Sequence, residues 1–150
     1  MIEHEIICPF PPDATWEFLI KENHMSQWWG PHFTLEPRYR GRVFLPWVDS
    51  IGEKRVTTGV ITAIDANRRL QMDFFSPEWP KKMRDEFLLT STPDKNNTRV
   101  YLQHSGWEAI TEEAERKKKF NTHAQLWAEA LKRLEQYTQT LKENTSWPAP

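Results

Sequence analysis

The sequence predicts an α+β fold in which a curved antiparallel sheet of six or seven strands carries a long C-terminal helix across its concave face. Three observations predict it. Apolar and polar residues alternate with a period of two from Phe33 to Ser105. Turn-forming residues punctuate that stretch as they do in hairpins. The final third changes to the 3.6-residue period of an amphipathic helix.

The 150 residues carry 20 basic and 21 acidic side chains. A chain of this length buries a core without staples, and its charges nearly cancel. No global field draws in nucleic acid or anionic lipid, so neither is expected as a partner. Cys8 is the single cysteine and the five histidines are scattered, which gives no disulfide framework and no metal-ligand spacing. No cofactor is expected. The start, Met1-Ile2-Glu3-His4-Glu5-Ile6-Ile7, alternates and is acidic, unlike a secretory signal, and no apolar run is long enough to enter a membrane. A cytoplasmic location is expected. One domain is expected over residues 1–143, with a disordered tail over 144–150 that ends in Trp147-Pro148-Ala149-Pro150.

His4–Ile7 reads as the first strand. Pro11 and Pro12 then open a helix, because the first helical N–H groups lack partners in any case, and Asp13 favours its dipole. Trp16, Leu19 and Ile20 at helical spacing place that helix over about 12–21. A second, near His24–Trp28, stops at Gly30-Pro31. Three hairpins follow. Phe33–Arg38 and Arg42–Trp47 flank Tyr39-Arg40-Gly41, Arg55–Ile64 and Leu70–Phe75 flank Asp65–Arg68, and Glu86–Thr92 and Arg99–His104 flank Pro93–Asn97. A short helix is expected over 112–119. The main helix is expected over 122–142, because Thr122-His123-Ala124-Gln125 fits a capping box. Trp127, Leu131, Leu134 and Leu141 mark its packed face.

Several segments resemble a known family. Thr15-Trp16-Glu17-Phe18-Leu19 followed by Met25-Ser26-Gln27-Trp28-Trp29-Gly30-Pro31 is similar to the tryptophan-rich entry of the family of activators of heat-shock-protein-90 ATPase homologues, within the START and polyketide-cyclase-like (SRPBCC) superfamily. Gly59–Asp65 with Arg69-Leu70, Thr98–Gly106 and Trp127–Leu134 agree with it in order and spacing. The resemblance runs from about Ile6 to Tyr137. It implies the helix-grip fold, a ligand cavity, and a link to chaperones and the stress response. The characterised activators carry a further N-terminal domain with no counterpart in these residues, which argues against chaperone stimulation. Tyr39-Arg40-Gly41-Arg42 stands where the family has a glycine pair.

The sequence holds 8 Trp and 8 Phe beside only 5 Gly, more aromatic surface than a core of this size requires. Part of it is expected to line a cavity for an unidentified small apolar molecule, lipid-, polyketide- or aromatic-like. The ligand-binding candidates are Trp28, Trp29, Phe33, Trp47, Phe74, Trp79, His104, Trp107, Trp127 and Leu131. Each has core packing as its alternative role. Neighbouring helical residues diverge, so only one of Trp28 and Trp29 is expected to face the cavity. Alternation likewise separates Phe74 from Phe75. His104 is in phase with Val100 and Leu102 and is therefore expected inside, where imidazole serves as a hydrogen-bonding or acid/base group. His123 either meets it or caps the helix. Trp79, between Pro77 and Pro80, is expected to act as a lid or to cap the core, with the entrance between the main helix and residues 28–33 and 76–84.

Two other functions compete with ligand binding. A protein-interaction role, with a chaperone or another protein as partner, would need exposed tryptophans near Trp28, Trp29 or Trp79. A cyclase- or hydrolase-like enzyme would draw on His104, Glu86 or Tyr101, with Glu86 beside His104 as its one checkable constellation. No nucleophile motif surrounds Cys8 or any serine, and no residue is assigned as catalytic.

Overall fold

The period-two region folds into one meander. The computed structural model describes residues 1–30, 32–48, 51–75 and 81–145. Strand β1 (Ile2–Cys8) leads through α1 (Pro12–Ile20) and α2 (Glu22–Trp28) into β2 (Thr34–Leu35), β3 (Arg42–Val48), β4 (Lys54–Asp65), β5 (Arg69–Phe75), β6 (Met83–Ser91) and β7 (Thr98–Ser105). A 3₁₀ turn at Trp107–Ala109 connects to α3 (Glu113–Thr145). The seven strands form one antiparallel sheet in the order β1-β7-β6-β5-β4-β3-β2. Only β1 leaves the sequential order, by pairing with β7 from Ile2 opposite His104 to Cys8 opposite Thr98.

Alternation decides which side chains enter the core. Met83, Asp85, Phe87 and Leu89 of β6 and Thr98, Val100, Leu102 and His104 of β7 are all buried. On the opposite face Arg84 makes two hydrogen bonds to Asp73 at 2.8 and 3.1 Å, and Lys82 adds an ion pair at 3.1 Å. Burial alone would raise the Asp73 carboxyl, but these partners outweigh it and hold the group below its ordinary value. The β4–β5 register slips between Ile61 and Ala63, a bulge that adds local twist and bend. Gly59 is needed on β4, because a Cβ there would lie 2.9 Å from the Phe74 ring and 2.8 Å from the Asp73 carbonyl.

The helices close one end of this sheet. Pro12 is the first residue of α1, as expected. The Trp28 indole donates to the Phe18 carbonyl at 2.8 Å, and the Arg133 guanidinium donates to the Trp28 carbonyl at 2.9 Å, so α1, α2 and α3 are tied through one residue. His24 and the Tyr137 hydroxyl share a hydrogen bond of 2.7 Å.

The C-terminal third departs from expectation in one respect. The expected pair of helices is one 33-residue helix. Thr122 is not a cap, since its hydroxyl donates to the Lys118 carbonyl one turn back, at 3.0 Å. Glu112 takes the capping role, and its carboxylate accepts from the backbone N–H groups of Ala114 and Glu115 at 3.2 and 2.7 Å. The helix runs on to Thr145, past the expected domain end at 143, while residues 146–150 lie outside those described.

Candidate functional site

Beyond the region closed by α1 and α2, the sheet and α3 diverge around a cavity of about 630 Å³. Its sheet wall is Leu45 and Trp47 of β3, Thr57 of β4 and Phe74 of β5, and its helix wall is Thr122, His123, Leu126, Trp127 and Ala130 of α3. Trp29 and Gly30 border one side, Asp85 and His104 form the floor, and Glu115, Lys118, Lys119 and Arg133 surround the mouth. A volume of this size and an aromatic lining around few polar groups are the usual properties of small-molecule sites.

Helical geometry sends Trp28 and Trp29 in different directions. Trp28 is buried edge-on to Phe87, at 6.4 Å between ring centroids. Trp29 faces the cavity, stacked on Phe33 at 4.2 Å and edge-on to Trp127 at 5.0 Å. Phe74 points into the cavity, while Phe75 is 49% exposed on the other face. The Trp47 indole donates to the Thr57 hydroxyl at 2.9 Å, which fixes that ring against the wall.

The structure thus brings Trp29, Trp47, Phe74, His104 and Trp127 to the cavity. Phe33, Trp28, Trp107 and Leu131 are buried in the core instead and do not line it. Trp79 lies outside the described residues, as do residues 76–78 and 80 of the expected second side of the entrance. The first side, at Trp29 and Gly30, borders the cavity.

The polar floor differs from the constellation expected. Glu86 points to the other face, where it accepts from Gln71 and Arg69 at 2.8 Å each. The partner of His104 is Asp85, directly across the ladder. The Asp85 Oδ1 and His104 Nδ1 are hydrogen-bonded, and each residue is only 2% exposed. A carboxylate at Nδ1 favours a ring proton on that nitrogen. The Nε2 of the ring is buried and has no hydrogen-bond partner among the described residues.

Asp85 was legible in principle, because Met83-Arg84-Asp85-Glu86-Phe87 puts an acid in phase with two core residues. Starting the strand at Glu86 concealed it.

Two further rings adjoin His104, one of them behind the floor and outside the cavity lining. Gly106, at φ 113°, turns the chain sharply out of β7. This places Trp107 5.2 Å from His104 and 5.2 Å from His123 between ring centroids. The Trp107 Nε1 is also buried without a partner among the described residues. His123 lies parallel to His104 at 6.0 Å. Burial, then the proximity of His104 and Lys119, lowers the His123 pKa to about 4, so its ring is neutral at pH 7. Among the described residues no three His, Cys, Asp or Glu side chains are placed to hold a metal ion, and no helix is long and apolar enough to cross a membrane.

Solved structures share this architecture. CalU16 from Micromonospora echinospora is 18% identical with a TM-score of 0.66, covering 90% of this chain and 71% of its own. The Aha1 dimer from Colwellia psychrerythraea is 18% identical with a TM-score of 0.68, covering 89% and 92%. DynU16, from the dynemicin biosynthetic locus, is 15% identical with a TM-score of 0.71, and this chain spans 47% of it. These likenesses establish the helix-grip fold. Among curated proteins the sequence has no significant match. The family model described as "Activator of Hsp90 ATPase homolog 1-like protein" matches residues 9–139, so the chain belongs to that family.

Proposed function

We propose that this domain binds a small, largely apolar molecule in the cavity between the sheet and the N-terminal half of α3. The observation that carries the reading is the polarity of the cavity: aromatic walls, and a buried imidazole with an unused nitrogen on its floor. An interior that only needed filling would place an aliphatic residue at His104, since an unpaired buried polar atom costs about 1 to 3 kcal/mol. The occurrence of one fold relative in the dynemicin biosynthetic locus agrees with a small-molecule role. A chaperone partner rests on the family description alone. Of the tryptophans that role would expose, Trp28 is buried and Trp29 faces the cavity.

Native mass spectrometry of the protein after soaking in a cell extract tests the proposal. The expected result is a discrete adduct of a few hundred daltons that a Trp29→Ala, Trp127→Ala variant fails to retain. Equal retention by the wild type and by that variant would overturn it.

A further inference from the structure

The charges around the cavity mouth do not follow those of the chain. The whole sequence carries 20 basic and 21 acidic residues, yet the mouth holds Lys118, Lys119 and Arg133 against Glu115 alone. Lys119 and Glu115 pair with each other at 3.2 Å. Asp85, the other acid of the cavity, is already bonded to His104 on the floor. Lys118 and Arg133 are left, and neither has an acidic partner among the described residues.

Arg133 is the better placed of the two. Its Nε donates at 2.9 Å to the carbonyl of Trp28, the last residue of α2, where a helix leaves its carbonyls without internal partners. Glu129, one turn back on α3 and the usual ion-pair partner for an arginine at that spacing, accepts from Gln125 at 3.3 Å instead. Capping α2 therefore accounts for one of the five guanidinium N–H donors. The two Nη groups remain, a planar fork that matches the two oxygens of a carboxylate. Arg133 is exposed and borders the cavity together with Trp29 and Gly30. A guanidinium already held at Nε has given up part of the rotamer freedom that binding would otherwise cost.

We infer that Arg133 is the seat of an anionic head group, and that the ligand is an apolar acid with its carboxylate at the mouth and its ring or chain against Trp29, Trp127 and Phe74. This rests on the cavity being a binding site, and it adds the chemical class and the direction of the occupant. A carboxylate at the mouth stays in contact with water, so it avoids the desolvation cost that it would meet on the floor. The apolar body enters among the aromatic walls. Lys118 is roughly four turns away along α3, about 22 Å by helical rise. It is too far to share the same carboxylate and acts by drawing anions toward the opening.

Three probes with one scaffold test the assignment: 6-phenylhexanoate, 6-phenylhexan-1-ol and 6-phenylhexylammonium, titrated at neutral pH into the wild-type protein and followed by tryptophan fluorescence and calorimetry. The expected result is that the carboxylate binds roughly tenfold or more tightly than the alcohol, and the ammonium more weakly than either. Added salt should weaken the carboxylate and spare the alcohol, a measurement that stands even if a variant fails to fold. Arg133→Gln should bring the carboxylate down to the affinity of the alcohol, whereas Lys118→Gln should mainly slow its association. If Arg133 only caps α2, Arg133→Gln will lower stability and keep the preference for the carboxylate, and that result would overturn the seat. Equal binding of carboxylate and alcohol by the wild type would also overturn it, and would leave the cavity reading intact. Failure of all three probes to bind would overturn the seat together with the cavity reading.

Discussion

The two halves of α3 face the same sheet and meet it differently. Over its C-terminal half, Leu131, Leu134 and Thr138 are sealed against α1, α2 and the sheet, and polar atoms there have partners, as with His24 and Tyr137. Over its N-terminal half, His123, Leu126 and Trp127 look across open space to Trp47 and Phe74, and orphan polar atoms collect beneath. The sequence spends its aromatics on both ends. What separates them is the pair of short helices, which fill one end and stop at Trp29. Filling and vacancy are therefore set by where α2 ends, and only secondarily by which apolar residues α3 carries.

The sealed half should respond to truncation far more than the open half. Leu134→Ala removes a fully buried side chain and is expected to cost about 3 to 5 kcal/mol in denaturant unfolding. A loss below 1 kcal/mol would show that this end is not the close-packed one. The next effect depends on pH. The folded protein holds His123 near 4, against 6.5 for the exposed group. Between those values the unfolded chain binds a proton that the folded chain refuses, so stability falls as pH drops through that window and the loss levels off below about 4. The difference is about 3 kcal/mol. Comparing the wild type with His123→Leu across pH 4 to 7 should show that slope vanish. A slope kept in the variant would place its origin elsewhere, His24 being the next group whose burial lowers its pKa.

Asp85→Leu is expected to destabilise by about 2 kcal/mol, because it strands His104 Nδ1 as well as Nε2. The double variant Asp85→Leu, His104→Leu should recover most of the loss, since two apolar residues leave no orphan. A double variant no more stable than the single would mean that the pair itself holds the sheet together. The smallest effect on stability belongs to Trp47→Ala. This ring is only half buried and lines the open half, so a loss of about 1 kcal/mol is expected, with a larger proportional loss of ligand retention in the native mass spectrum. A large stability loss with unchanged retention would move Trp47 from cavity wall to core.

The sheet was readable because period-two alternation survives wherever one face is buried, as β6 and β7 show residue by residue. The two short helices were readable from Pro12 and the Trp16–Leu19–Ile20 spacing. The site was read in part. His104 was found from its phase with Leu102, but Asp85 was missed, because a carboxylate on the core face contradicts the polarity that marks a strand's inner side. The break expected before Thr122 failed for a different reason. A capping-box pattern in mid-helix is locally indistinguishable from one at a start, and the residues around it are good helix formers. Which aromatics would line the cavity was beyond the sequence, because Trp28 and Trp107 are sealed by partners ten or more residues away in the chain or across a turn set by Gly106.

The pairing of β1 with β7 has a consequence for the order of folding. Every other ladder joins strands adjacent in the chain, so those hairpins close short loops and form early. β1 meets its partner only after β7 exists, with Ile2 brought opposite His104. During synthesis the first strand is therefore made and left waiting for about a hundred residues, a non-local closure that slows folding. His104 sits in the strand that β1 completes, flanked by β6 on one side and β1 on the other. The last strand to dock is thus the one that shuts the floor, and a nascent chain holds no finished cavity until its first residues have returned to the sheet.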